Sequence, residues 1–198
     1  MNKPPFIKFS KYILIAMGLV LLTACGGDAK RTANTSETFD CGLDLVIGDV
    51  CGGGVIVDVN YGGDGTWLVV SETDVPSVGV PHMWKTEVSG TAYAADLVDG
   101  RNNTGTFTPL HEASMACQNL DLNGFTDWYL PSLGEMSGMQ TNSVVIGLNT
   151  AVLYWSSSNQ DSGSFMAHAI IYEGAWVSSP GSVNSPGLIR CIRRPTVG

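Results

Sequence analysis

The sequence predicts an α+β domain, with two short helices packed on antiparallel sheets and long loops between them. Three observations carry that prediction. Two helical patterns precede the last run of strand patterns, glycine-rich turns separate the strands, and the cysteines are placed to staple helix to strand.

The chain opens on a processing signal. Lys3, Lys8 and Lys11 precede the apolar run from Tyr12 to Leu22, which is shorter than the ~20 residues that cross a bilayer and suits the centre of a secretion signal. Leu22-Thr23-Ala24-Cys25 resembles the lipobox of bacterial lipoproteins. Residues 1–24 are therefore read as a lipoprotein signal peptide, and Cys25 as the lipid-modified residue that anchors the protein to a membrane. Gly26, rather than Asp, implies the outer membrane of a Gram-negative envelope. Residues 25–40 are small and polar, a flexible tether that would hold the domain about 20 Å from the lipid on average. Residues 41–198 suffice for one domain with its own core.

The net charge is −8 at pH 7, and loss of the three lysines ahead of Cys25 makes it more negative. Such a surface repels phosphates, which excludes nucleic acid as a partner. Four cysteines remain beyond the lipid site: Cys41, Cys51, Cys117 and Cys191. Three pairings are open to them, and the expected one joins Cys41 to Cys51 and Cys117 to Cys191. The longer loop would contribute roughly 4 kcal/mol and the shorter about 3 kcal/mol in the chain-entropy picture. CxxC pairs and clustered histidines are lacking, so neither a metal nor another cofactor is expected.

"GGGVIVDV" and "GTWLVVS" flank "NYGGDG" and read as a hairpin, with β-branched residues on the pleat and glycine where positive φ is needed. Asp58, Asn60 and Asp64 hint at a calcium loop, but Gly62 and Val69 stand where ligands should be, so turn chemistry is expected. From Val75 to Phe107 there is little periodicity, which predicts a long ordered loop with short strands. "TPLHEASMACQNL" predicts a helix with Thr108 as N-cap, Pro109 at its first position and His111 as an exposed surface residue. Ala113, Ala116, Cys117 and Leu120 would form its inner face.

In "DWYLPSLGEM", Ser132 and Glu135 form a capping box that starts a second helix, with Leu133, Met136 and Met139 as its inward stripe. Trp128 and Leu130 lie in the extended lead-in and point the same way, into the core. "LYWSSS" follows as a strand, then "FMAHAIIY", a two-residue turn "EG", and "AWVSS" as a returning strand. "GLIRCIRRP" closes the chain as a strand carrying Cys191.

"IGDVCGGGVIVDV", "ACQNLDLNGFTDWYLPSLGEM", "YWSSS" and "IRCIRRP" resemble, in order, the signatures of the domain at the C-terminus of the Legionella collagen-like adhesin, which is related to the C-type lectin-like fold. The resemblance covers about Leu43 to Pro195. The chain departs from it in lacking a collagen-like repeat and in having Cys51 near the first strand. The resemblance implies a C-type lectin-like domain that binds rather than catalyses, since the adhesin is linked to glycosaminoglycans and host surfaces. The Glu-Pro-Asn, Gln-Pro-Asp and Trp-Asn-Asp triplets of calcium-dependent sugar binders do not occur here. Sulfated polysaccharide would need a basic patch of Arg190, Arg193 and Arg194, and pairing of these with nearby acids is the expected alternative.

The expected function is a non-enzymatic, lipid-anchored surface recognition or adhesion module for a glycan or protein ligand. Asn159, Gln160, Asp161, His168, Tyr172 and Trp176 are its candidate contact residues, because amides and aromatics suit hydroxyls, peptide groups and sugar rings. A structural envelope or fimbria-like protein, packing against neighbours, is the alternative. An enzyme like the formylglycine-generating fold is expected least. His82, His111 and His168 are scattered, and the Ser156 to Ser158 run lacks a nucleophile elbow.

Overall fold

The computed structural model describes residues 41–42, 44–75, 81–86, 96–107, 109–160 and 165–195. The expected signal peptide, Cys25 and the tether lie outside these residues. Among the described residues, no helix is long and apolar enough to cross a membrane.

The fold is α+β, with short helices and antiparallel sheets. Strands β1 (Val50–Cys51), β2 (Gly54–Tyr61), β3 (Thr66–Val70) and β9 (Ile192–Arg193) form a sheet in the order β1-β2-β3-β9. Strands β4 (His82–Met83) and β8 (Pro186–Gly187) pair with each other. Strands β5 (Tyr154–Asn159), β6 (Met166–Tyr172) and β7 (Trp176–Ser182) form the third sheet. The helices are α1 (Gly100–Thr106), α2 (Glu112–Gln118) and α3 (Met136–Thr141).

The β2–β3 hairpin forms where glycine permits it: Gly62, Gly63 and Gly65 take φ of +73°, +80° and +80°. The turn's side-chain oxygens serve its own backbone. Asp58 Oδ1 accepts from Asn60 N (2.8 Å), Asn60 Oδ1 from Gly65 N (2.7 Å), and Asp64 Oδ1 from Thr66 N (2.9 Å). This is the Asx chemistry of turns.

Three local expectations are corrected. The stretch "DGRNNTG" is helix α1, not loop, because Asp99 caps Asn102 N at 3.1 Å and the Asn103 side chain ties it to Asp96 and Ser157. Helix α2 starts at Glu112, with Pro109 and Leu110 in the preceding turn, and His111 stands at its N-cap. Thr108, the expected cap, lies outside the described residues. Third, the β6–β7 connection has three residues, since Tyr172 pairs with Trp176 and Gly174 turns at φ +84°.

The corner before α3 follows the sequence closely. Ser132 Oγ accepts from Glu135 N at 3.2 Å, and Glu135 Oε2 accepts from Ser132 N at 2.8 Å, the two reciprocal bonds of a capping box. Met136 and Met139 are fully buried, as are Trp128 and Leu130. Leu133 is only half-buried.

The core has two clusters. One gathers Trp67, Trp84, Trp128 and Trp155 around the Cys117–Cys191 disulfide. The other joins Tyr154, Met136, Met139, Ile170 and Leu188. Each fully buried aliphatic or aromatic chain contributes about 1.5–3 kcal/mol. Trp155 fits because glycines face it: a methyl group at Gly187 would meet its Nε1 at 2.5 Å. A second disulfide joins Cys41 to Cys51, so both links are those expected from the sequence.

Candidate functional site

The expected contact residues do not form one surface. Asn159 is buried at the end of β5, and Gln160 beyond it is exposed. His168 is half-buried in the middle of β6, where its carbonyl accepts from Ser156 Oγ at 2.8 Å. Tyr172 and Trp176 pair at the far turn, their ring centroids 5.5 Å apart, and Trp176 leans on buried Tyr154. From Met166 to Tyr172 a strand runs about 20 Å, so Asn159 and Tyr172 lie at opposite ends of the sheet. Asp161 lies outside the described residues.

The three C-terminal arginines are turned to acids instead of forming a basic patch. Arg190 Nε donates to Asp74 Oδ1 at 2.8 Å, and Arg193 grips Asp127 with two bonds of 2.7 and 3.1 Å. Arg193 also lies 3.9 Å from the centroid of the Phe125 ring. Arg194 Nη2 donates to Glu135 Oε1 at 2.7 Å, and its Nη1 reaches Asp99 at 3.5 Å.

Arg194 marks the site where polar groups converge. Glu135 is fully buried, yet each oxygen is held twice: Oε2 by Gly100 N (2.9 Å) and Ser132 N (2.8 Å), Oε1 by Tyr129 Oη (2.7 Å) and Arg194 (2.7 Å). A buried carboxylate needs such partners to remain charged. Gly100 is required there, because a Cβ would fall 2.5 Å from Leu130 O and Ser132 N. Above this floor opens a cleft of about 480 Å³, lined by Tyr61, Asp64, Thr66, Asp99, Gly134 and Arg194 among others.

Three groups with displaced titration, Tyr61, Asp64 and Arg194, line this cleft. Burial, and then the Glu135 charge, push the Tyr129 hydroxyl well above its ordinary value, and the same two causes raise Tyr61. Burial opposes the charge on Arg194, but Tyr129 and Glu135 outweigh it and hold its pKa above the usual value. Hydrogen bonds from Thr66 lower Asp64, and the amide of Val98 lowers Asp96. Such clustering is a mark of functional sites. A larger cleft of about 580 Å³ holds His82 Nδ1 3.9 Å from Glu112, with Asn119 and Asp121 also on its walls.

The cleft offers acceptors. Arg194's terminal nitrogens are turned to Glu135, Asp99 and the Val98 carbonyl; the Asp64 carboxylate is exposed, whereas Asp99 is half-buried, its Oδ1 accepting from Asn102 N and its Oδ2 from Arg194. Tyr61 adds a ring face, held by its hydroxyl bond to Val98 O at 2.8 Å.

His111, expected on the surface, is buried, stacked on Phe107 at 4.4 Å and edge-on to Trp84 at 5.1 Å. Ser156, Ser157 and Ser158 are fully buried. Of the site residues, the sequence singled out Asp64 in the turn, Glu135 as a cap and Arg194 in the basic run, but not Tyr61 or Asp99. Only their positions, at a turn and ahead of a helix, could have signalled them.

No family model and no curated protein matches the chain. Among solved structures, a fimbrial protein from Bacteroides ovatus is similar, with 16% identity and a TM-score of 0.37 over 64% of this chain. The match spans 35% of that protein's chain.

Proposed function

We propose that this protein is a non-enzymatic, lipid-anchored recognition module of the bacterial cell envelope, with a C-type lectin-like domain that binds a neutral, hydroxyl-rich glycan without calcium. The observation that carries the reading is the cleft over Glu135. It combines carboxylates, a cation already neutralised from below and one tyrosine ring. Hydroxyls donate to the carboxylates, and the apolar face of a sugar ring packs on Tyr61. A sulfated chain would meet Asp64, while the cleft's Arg194 is already turned to Glu135 and Asp99.

Calcium independence fits the use of Asp58, Asn60 and Asp64 oxygens by turn amides. A non-enzymatic role fits the tying of Cys41, Cys51, Cys117 and Cys191 into disulfides, which leaves none of them as a thiolate nucleophile.

The test is a titration of the mature protein with panels of neutral and sulfated oligosaccharides, repeated with Asp99→Asn. Asparagine caps a helix as well as aspartate does, so folding is retained. Neutral sugars should bind, and the variant should lose about tenfold in affinity, or roughly 1.4 kcal/mol. A panel without any neutral binder sinks the reading. Cross-linking in cells to one fixed envelope partner would replace it with the structural-envelope alternative.

A further inference from the structure

We propose that the turns around residues 44–50 and 142–147 form a second membrane contact, an apolar patch resting in the boundary between headgroups and acyl chains of a zwitterionic bilayer. The inference rests on the lipid-anchored reading above. Five aliphatic side chains stand out of these turns: Val46, Ile47, Val50, Val144 and Val145 are 62%, 43%, 65%, 93% and 56% exposed.

They belong to one surface. A methyl group added at Gly48 would lie 3.2 Å from Val145 Cγ1, so the two turns touch there. Val50 pairs with Val55, which puts both side chains on the same face of the sheet, and Val55 packs on the cluster containing Ile146. Single exposed aliphatics are ordinary, whereas a contiguous group marks an interaction surface.

The path of the chain selects the occupant. Cys41 is tied to Cys51, the neighbour of Val50, with Cα atoms 5.4 Å apart. The chain from Cys25 therefore enters the domain at the edge strand β1, one residue from Val50 and on the other face of that strand. Only residues 26–40 separate Cys25 from Cys41, so an acylated Cys25 keeps this edge within the chain's reach of the bilayer. Residues 42–50 and 142–147 contain no Lys or Arg, but include Asp44 and Asp49. The contact is thus apolar insertion, without the basic residues that draw proteins to anionic headgroups.

The test uses the full lipidated protein in phosphatidylcholine vesicles, with photo-reactive benzoylphenylalanine replacing Val144, Val46 or, as a control on the cleft rim, Asp64. Phospholipid adducts should form at positions 144 and 46, and at 64 only weakly. Adding Ile47→Ser and Val145→Ser should reduce them while the melting temperature holds. Adducts to protein alone, equal labelling at all three positions, or no adducts would overturn the proposal. Intact mass separates the two failures: an unacylated Cys25 breaks the anchor reading and this inference with it, whereas acylated Cys25 without lipid adducts breaks only the patch.

Discussion

In the corner from Asp127 to Met136, buried polar side chains are partnered by other parts of the chain, whereas the β6–β7 hairpin leaves most of β7 open to water. Ser132 and Glu135 are fully buried and bonded to each other, and Glu135 is also tied to α1, Tyr129 and Arg194. Along β7, only Trp176, Ser179 and Gly181 are even half-buried. The hairpin has the aromatics and hydroxyls expected of a binding surface, and Trp176 meets Tyr172 and buried Tyr154 there, but the sheet places Asn159 at its other end. Fixed donors and acceptors, not composition, make the corner the better site.

The comparison breaks most sharply at Glu135. Glu135→Ala removes the acceptor of four donors and leaves Arg194 above an empty space, so it should cost about 3–5 kcal/mol in denaturant unfolding. Trp128→Ala in the lead-in should cost about 3–5 kcal/mol through the cavity it leaves. If thermal stability held and ligand binding vanished instead, the lead-in would itself be part of the site. Gly100→Ala forces a methyl group against Leu130 O and Ser132 N and should cost about 1–3 kcal/mol, read as a lowered midpoint.

Tyr129→Phe removes one bond to Glu135 and should cost about 1–2 kcal/mol at neutral pH. It also has a pH signature. The hydroxyl's pKa is raised in the folded protein from the ordinary 10.0. Its contribution is therefore complete below about pH 10, and above that stability falls by about 1.4 kcal/mol per pH unit because only the unfolded chain releases the proton. The variant should show a shallower alkaline decline in unfolding free energy. In the hairpin, Tyr172→Ser should change stability by no more than about 0.5 kcal/mol. A larger loss by calorimetry would show the aromatic pair to be structural.

The corner's local half was legible in the sequence, because a capping box and a buried lead-in are set by residues within a few positions. Its other half was not. Arg194 meets Glu135 across 59 positions and Gly100 meets it across 35, and no periodicity encodes those meetings. Helix α1 was missed for a related reason. Gly100, Asn102, Asn103 and Gly105 are poor helix formers, and the helix depends on the Asp99 cap and on distant partners such as Ser157 and Leu130. The β2–β3 hairpin was readable because its strand and turn residues agree locally, as in minimally frustrated segments. The contact residues placed on the late strands came from residue type alone, and the register of β5, β6 and β7 pairs Tyr172 with Trp176 but leaves Asn159 at the other end of the sheet.

Pro180 lies within β7, and the register from Met166↔Ser182 to Tyr172↔Trp176 runs past it without a shift. A proline tolerated in this way turns its missing amide hydrogen away from the sheet. A visiting strand would thus find a gap in the row of donors along this outer rail. That interruption guards the open edge against fibre growth by strand addition.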